Sequence, residues 1–205
     1  MLCASAASEA LCAACLNDLP AQPPAFETLS GDAQPAGGLA ATDGSASLQA
    51  LALWRYAEPA DRVVLGFKYG GHAGVARLWA VRMAARLPAV DALIAMPMHP
   101  TRLAERGENP AEALALALRP LLPGHPPRLR GVKTRATALQ QGLDRAGRLA
   151  NVAGAYRIDA DLRQRHVLLI DDVLTTGASL LALAAAARAA GAAAVTAVAM
   201  ARAAP

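Results

Sequence analysis

The chain has 205 residues, a formal net charge of +4, a hydrophobic fraction of 55% and an aromatic fraction of only 3%. Those totals suffice for one buried core and argue against an aromatic platform for stacking single-stranded bases. The N-terminus lacks a basic stretch followed by an apolar one, and the longest apolar region, Leu180 to Ala201, is broken by Arg188 and Gly191, so neither an export signal nor a membrane span is expected, and the cytoplasmic setting this suggests disfavours disulfides.

Residues 1–20 hold all three cysteines, Cys3, Cys12 and Cys15. A four-cysteine zinc site takes two CxxC pairs. Cys12 and Cys15 make one pair, Cys3 stands alone, and Ala6 sits where its mate would fall. Three readings stay open: an incomplete Zn²⁺ site, a start codon placed too late so that the mate precedes Met1, or a plain thiol in a frayed terminus. Residues 21–50 are dominated by Pro, Gly, Ala and Ser without an apolar period, which predicts a flexible linker. The first 50 residues carry five acids and no Lys or Arg. The remainder therefore has 20 basic residues against 11 acids, about +9.

Order is expected to resume near Leu51. "LQALALWRYAEPADRVVLGFKYGG" predicts a strand around Trp54–Tyr56 and a helix from about Pro59, where the missing N–H of proline is not needed. Lys68 falls at the end of that helix, beside a glycine turn. It either reaches a pyrophosphate or simply favours the helix C-terminus. A second helix is predicted over Val75–Leu87, with Val75, Leu78, Trp79, Arg82 and Met83 sharing a face. "ALIAMPMHP" predicts a strand ending at Pro97, with His99 in the loop behind it, and a further helix spans roughly Pro110–Leu122. "HPPRLRGV" reads as short and extended, residues 131–151 as an exposed loop, and "AYRI" as a short strand. Between residues 101 and 150 nine basic residues stand against four acids. Such a field attracts a polyanion, pyrophosphate or nucleic acid, although Arg-rich surfaces also occur without a ligand.

The most informative stretch is "HVLLIDDVLTTGASL", residues 166–180. Val167 to Ile170 predicts a buried strand, and Ala178 to Ala190 a helix. Thr175, Thr176, Gly177, Ala178 and Ser179 form the turn between them and present backbone N–H groups at a helix N-terminus, an arrangement that binds phosphate. Asp171 and Asp172 sit at the carboxyl end of the strand, where open α/β sheets hold ligands. Neighbouring carboxylates repel and suit a site with cations or sugar hydroxyls, so the segment as a whole fits a ribose 5-phosphate. The plainer alternative is a strand, a solvated acidic turn and a helix capped by Ser179. No GxxxxGK[ST] is present, nor a GxGxxG after a strand. The last helix should end near Gly191, followed by the strand "AAVTAVAMA". Strands alternating with helices after residue 90 predict an α/β parallel sheet.

This segment resembles the phosphoribosyl pyrophosphate (PRPP) signature of the type I phosphoribosyltransferases, in which the acid pair contacts the ribose hydroxyls and the following loop cradles the 5-phosphate. "LCAACLNDLP", "FKYGG", "MPMHPTRLAERGENPAEALA" and "RATALQQGLDRAGRLANVAGAY" precede it in order, and together they resemble the ComF family of competence-related proteins. The resemblance implies a type I phosphoribosyltransferase-like parallel sheet flanked by helices, over residues 51–205, with 51–90 as a hood and 91–205 as the core. A degenerate zinc-ribbon-like segment, 1–20, would precede it. It implies PRPP with Mg²⁺ as ligand, and single-stranded DNA and a helicase-type competence protein as partners. On the same basis Asp171 and Asp172 would be the catalytic acids. Lys68, His99, Arg102 and Arg106 would hold pyrophosphate, and a mobile loop containing Thr137, Gln140, Arg145, Arg148 and Asn151 would close over it. One departure stands out: where the family usually has Arg-Gly-Phe-Asn-Gln, this chain has Arg106-Gly107-Glu108-Asn109-Pro110, which puts an acid near the expected anion. Three functions remain open: a ComF-like DNA-uptake accessory with a PRPP-type site, an active Mg²⁺-dependent phosphoribosyltransferase, and a basic single-strand binder indifferent to PRPP.

Overall fold

The computed structural model describes residues 11–22, 25–30, 47–70, 73–135, 147 and 151–204. In chain order the elements are α1 (Ala13–Asn17), β1 (Glu27–Ser30), β2 (Ser47–Arg55), α2 (Ala60–Gly70), α3 (Ala73–Ala84), β3 (Ala92–Ala95), α4 (Pro100–Arg106) and α5 (Pro110–Leu118). A 3₁₀ turn follows at Arg119–Leu121, then β4 (Gly131–Lys133), β5 (Tyr156–Ile158), β6 (His166–Leu174), α6 (Ala178–Ala189) and β7 (Ala194–Arg202).

Five strands form one sheet in the order β1-β2-β7-β6-β3. β2, β7, β6 and β3 are parallel, and β1 runs antiparallel along the edge of β2. The expected α/β class with a mostly parallel sheet flanked by helices is what the chain adopts. Side chains alternate across the sheet with period two. Leu168 and Ile170 of β6 and Val198 and Met200 of β7 face one core, which α2, α3 and α5 cover. Val167 and Leu169 of β6 and Ala197 and Ala199 of β7 face the other, which α6 and β5 cover. Trp79 of α3 is fully buried and donates its indole N–H to the carbonyl of Ala199, 3.2 Å away, so the largest core side chain also satisfies its one polar atom.

The second core is built on small residues. Ala178, Ala184 and Ala187 of α6 are buried with Ala50 and Ala52 of β2 and Ala197 and Ala199 of β7. Alanine brings helix backbone close to sheet backbone and loses no side-chain entropy on burial.

Several elements differ from the sequence expectation. Glu27–Ser30 and Ser47–Ala50 fall in the stretch expected as linker, yet they pair with one another as β1 and the start of β2, and Leu29 and Leu48 are buried. The stretch expected as a hood supplies β2 to the main sheet and α2 and α3 to its first face. α3 buries Val75, Ala76, Trp79, Ala80 and Met83, whereas Leu78 and Arg82 are only partly buried. α5 ends at Leu118 because Pro120 has no N–H to continue it, and the chain tightens into the 3₁₀ turn. Within 131–151, expected to be loop, Gly131–Lys133 pairs antiparallel with Tyr156–Ile158. Among the described residues no helix is long and apolar enough to cross a membrane.

Candidate functional site

A cleft of about 810 Å³ opens at the carboxyl edge of the sheet, the edge at which parallel sheets place their ligands. β6 continues to Leu174, four residues beyond the apolar run that ends at Ile170, so both aspartates lie within the strand. Successive strand residues point to opposite faces. Asp172 therefore turns towards α2, where its Oδ2 lies 3.3 Å from Lys68 Nζ. Asp171 turns towards the other face, where it acts on Tyr156 of β5. Both line the cleft.

The pair is electrostatically unequal. Burial pushes the Asp171 carboxyl up to about 8, and the adjacent Asp172 adds to the rise; the Asp172 backbone N–H, 2.8 Å from Asp171 Oδ1, and the charge of Lys68 oppose it. Asp171 as a residue is only partly buried, because one side of it borders the cleft. Its carboxyl is the desolvated part. Burial thus favours the neutral form of the Asp171 carboxyl, while its neighbour Asp172 pairs with Lys68.

The turn after β6 has the predicted form. Gly177, at φ 77°, is the N-cap of α6, in the left-handed region that glycine alone enters cheaply. A Cβ there would come within 2.8 Å of Leu29 Cδ1. The Thr176 hydroxyl accepts from Ala178 N at 3.4 Å. Ser179 does not cap the helix, since the cap residue makes no side-chain hydrogen bond; its hydroxyl pairs with Tyr156. Thr175, Thr176, Gly177, Ala178 and Ser179 all border the cleft.

Lys68, His99, Arg102 and Arg106 border it as well. His99 and Pro100 start α4: Thr101 N donates to His99 Nδ1 at 3.4 Å, and Gly107 closes the helix at φ 80°. α4 thus carries Arg102 and Arg106 on a short helix where loop was expected. The Arg106 guanidinium lies 4.9 Å from the centre of the Tyr69 ring. Glu108 is absent from the cleft wall, whereas Glu105 is part of it. Asn109 caps α5 by accepting from Ala111 N at 3.1 Å, and it donates to the Met96 carbonyl at 3.0 Å. The altered motif therefore still ties the end of β3 to α5.

Four contributors carry no local sequence signal. Tyr56 follows β2 and borders the cleft; burial first, then Asp61 and Asp172, raise its hydroxyl above the usual range. Lys133 ends β4 within the stretch expected as loop. Burial, then Arg102 and Arg135, lower its ammonium from the ordinary value, and it stands 5.8 Å from the Tyr156 ring centre. Tyr156 lines the opposite wall. Arg202, at the end of β7, reaches the carbonyls behind the turn. Position on a sheet edge, and not spacing, brings these residues together.

Thr137, Gln140, Arg145 and Arg148 lie outside the described residues, as does Cys3. Of the expected thiols, Cys12 and buried Cys15 flank the start of α1, with Cys15 N donating to Cys12 Sγ at 3.5 Å. Among the described residues no three His, Cys, Asp or Glu side chains group closely enough to hold a metal ion; structural zinc takes four ligands, and Cys3, the third candidate, lies outside those residues. Mg²⁺ has a different requirement: one or two carboxylates plus phosphate oxygens of the ligand suffice. Asp171 and Asp172, which share the cleft with the turn that starts α6, fit that donor set.

No family model matches the chain. It is 32% identical over 94 residues to a protein of Shigella flexneri named DNA utilization protein YhgH, a match covering 46% of this chain and 41% of that one. The protein of the same name from Salmonella typhi is 29% identical over 103 residues, 50% of this chain and 45% of that one. The chain thus spans less than half the length of the curated relatives it matches. Among solved structures, phosphoribosylpyrophosphate synthetase from Mycobacterium smegmatis aligns with a TM-score of 0.38 at 18% identity, over 63% of this chain and 33% of that one. Purine phosphoribosyltransferase from Pyrococcus horikoshii aligns with a TM-score of 0.37 at 17% identity, over 62% of this chain and 70% of that one.

Proposed function

We propose that the chain is a ComF-like protein of the phosphoribosyltransferase type. Its cleft takes PRPP or a related ribose 5-phosphate together with Mg²⁺, in the service of DNA uptake or utilisation. One observation carries this reading: the acid pair on β6 and the helix-start turn of α6 open into the same cleft as Lys68, Arg102 and Lys133. The turn supplies backbone N–H groups and the positive end of a helix to a 5-phosphate. The aspartates supply acceptors to ribose hydroxyls. The cations supply positive charge for a second, larger phosphate group, and Arg forks suit its oxygens. Asp171 and Asp172 would hold Mg²⁺, whose charge would offset that of a pyrophosphate leaving group.

The link to DNA rests on the name carried by the matched relatives. Single-stranded DNA and a helicase-type partner belong to the same proposal, as does a cytoplasmic place of action, because a charged sugar phosphate does not cross a bilayer unaided. The test is calorimetric titration with PRPP, with and without Mg²⁺, of the wild type and of Asp171→Asn/Asp172→Asn. Binding that needs Mg²⁺ and vanishes in the double variant, with single-stranded DNA binding retained, is the expected result. Equal PRPP affinity in both proteins would remove the acids from the site. DNA binding without any PRPP binding would leave the plain basic binder.

A further inference from the structure

We infer that Arg202, braced by Glu27, is the positioning residue of the anion-binding turn: it holds the turn's carbonyls from behind, so that the N–H groups face the cleft. The inference rests on the reading of that turn as a phosphate cradle. A peptide unit is planar and trans, so its C=O and its N–H point in opposite directions. The carbonyl of Leu174 accepts from Arg202 Nη1 at 3.3 Å and from Ala203 N at 2.8 Å. The carbonyl of Thr175 accepts from the same Arg202 Nη1. Those two peptide units carry the N–H groups of Thr175 and Thr176. With both oxygens drawn towards Arg202, which is not part of the cleft wall, both N–H groups are turned away from it; Thr175 and Thr176 border the cleft, as do Leu174 and Ala203.

A single long side chain does not fix two peptide planes unless it is itself fixed. Arg202 Nε donates to Glu27 Oε1 at 2.7 Å, and Nη1 also reaches the carbonyl of Ala203 at 3.0 Å. The guanidinium is a rigid planar fork, so anchoring Nε on a carboxylate sets the direction of Nη1. The pair is sheltered, with side-chain exposures of 15% for Arg202 and 35% for Glu27. Glu27 also offsets the charge of Arg202, which makes its contribution one of geometry more than of field. Two residues along β1, hence on the same face of the strand, Leu29 packs beneath Gly177. The edge strand from the Pro- and Gly-rich region therefore meets the turn at two points, one polar and one apolar.

The experiment uses the full-length, ¹⁵N-labelled protein and the variants Arg202→Lys, Glu27→Ala, Glu27→Gln and the double variant Glu27→Ala/Arg202→Lys. The amide resonances of Thr175, Thr176 and Gly177 are recorded without ligand, and inorganic phosphate and PRPP with Mg²⁺ are then titrated. Arg202→Lys keeps the charge but loses the fork, and Glu27→Ala loses the brace. Each is expected to move the three amides and to weaken phosphate binding about tenfold, the effect of one charge-assisted hydrogen bond. Glu27→Gln retains an oxygen for Nε and is expected to restore wild-type amides and affinity. The double variant should bind no more weakly than Arg202→Lys alone, since both act through one strut. Unmoved amides in Arg202→Lys and Glu27→Ala, or additive losses in the double variant, overturn the strut. A wild type that binds neither probe overturns the phosphate reading instead, and the ligand-free amides then still decide the strut.

Discussion

Asp171 and Asp172 are adjacent in the chain and opposite on the strand, and that one fact gives them different chemistry. Asp172 meets a lysine, whereas Asp171 meets a desolvated wall and the charge of its neighbour. An aspartate in the unfolded chain ionises near pH 4, while Asp171 in the folded protein keeps its proton to about 8. Between those values the folded state binds more protons than the unfolded one, so this residue makes the ligand-free protein less stable as pH rises from about 4 to about 8. Asp171→Asn removes the effect. Its melting temperature should match the wild type near pH 4 and exceed it by about 3 °C or more at pH 9, roughly what one kcal/mol yields in a chain of this size. Melting curves at pH 5, 7 and 9 check it; a constant offset across that range would mean that burial does not hold the proton.

At the scale of elements, the unit formed by β6, the turn and α6 was legible in the sequence because its signals are local: a continuous apolar run, an acid pair, a glycine and an alanine-rich helix. Other pieces were not legible, and each has its reason. α4 buries none of its residues, so it shows no apolar period, and its caps are its only sign. β1 is four residues long and owes its existence to pairing with β2 some twenty residues away; composition alone marks it as linker. Lys133 enters the cleft through the register of β4 with β5, Lys133 opposite Tyr156, which no spacing within 131–151 reveals. The turn itself yields a prediction. Gly177→Ala forces a Cβ into the left-handed region, at about 1–2 kcal/mol, while the Leu29 methyl facing it is a side-chain end that can shift. The variant should therefore fold, with a melting temperature lower by about 3–6 °C and with weaker binding of ribose 5-phosphate, read by calorimetry. Wild-type affinity in that variant would show that the turn does not contact the phosphate.

Across the whole molecule, the acidic N-terminal quarter and the basic remainder are not independent bodies. Cys15, Leu19 and Leu29 are buried, and Leu16 packs against the main core. Deleting residues 1–30 strips the sheet of its antiparallel edge and removes these side chains with the apolar burial they provide, at about 2 kcal/mol apiece. The deletion should lower the melting temperature by about 10 °C or more; an unchanged value would make the segment a passive tail. The alanine-built face between α6 and the sheet shapes the protein in a further way, through its tolerance of mutation. A buried alanine has almost nothing to lose, so nearly every random replacement at Ala184, Ala187, Ala197 or Ala199 adds atoms to a space that has no room for them. Failure on this face comes from crowding and not from cavities. Sequence drift there should be confined to glycine and serine, while the leucine- and tryptophan-filled face opposite remains open to exchange among large apolar residues.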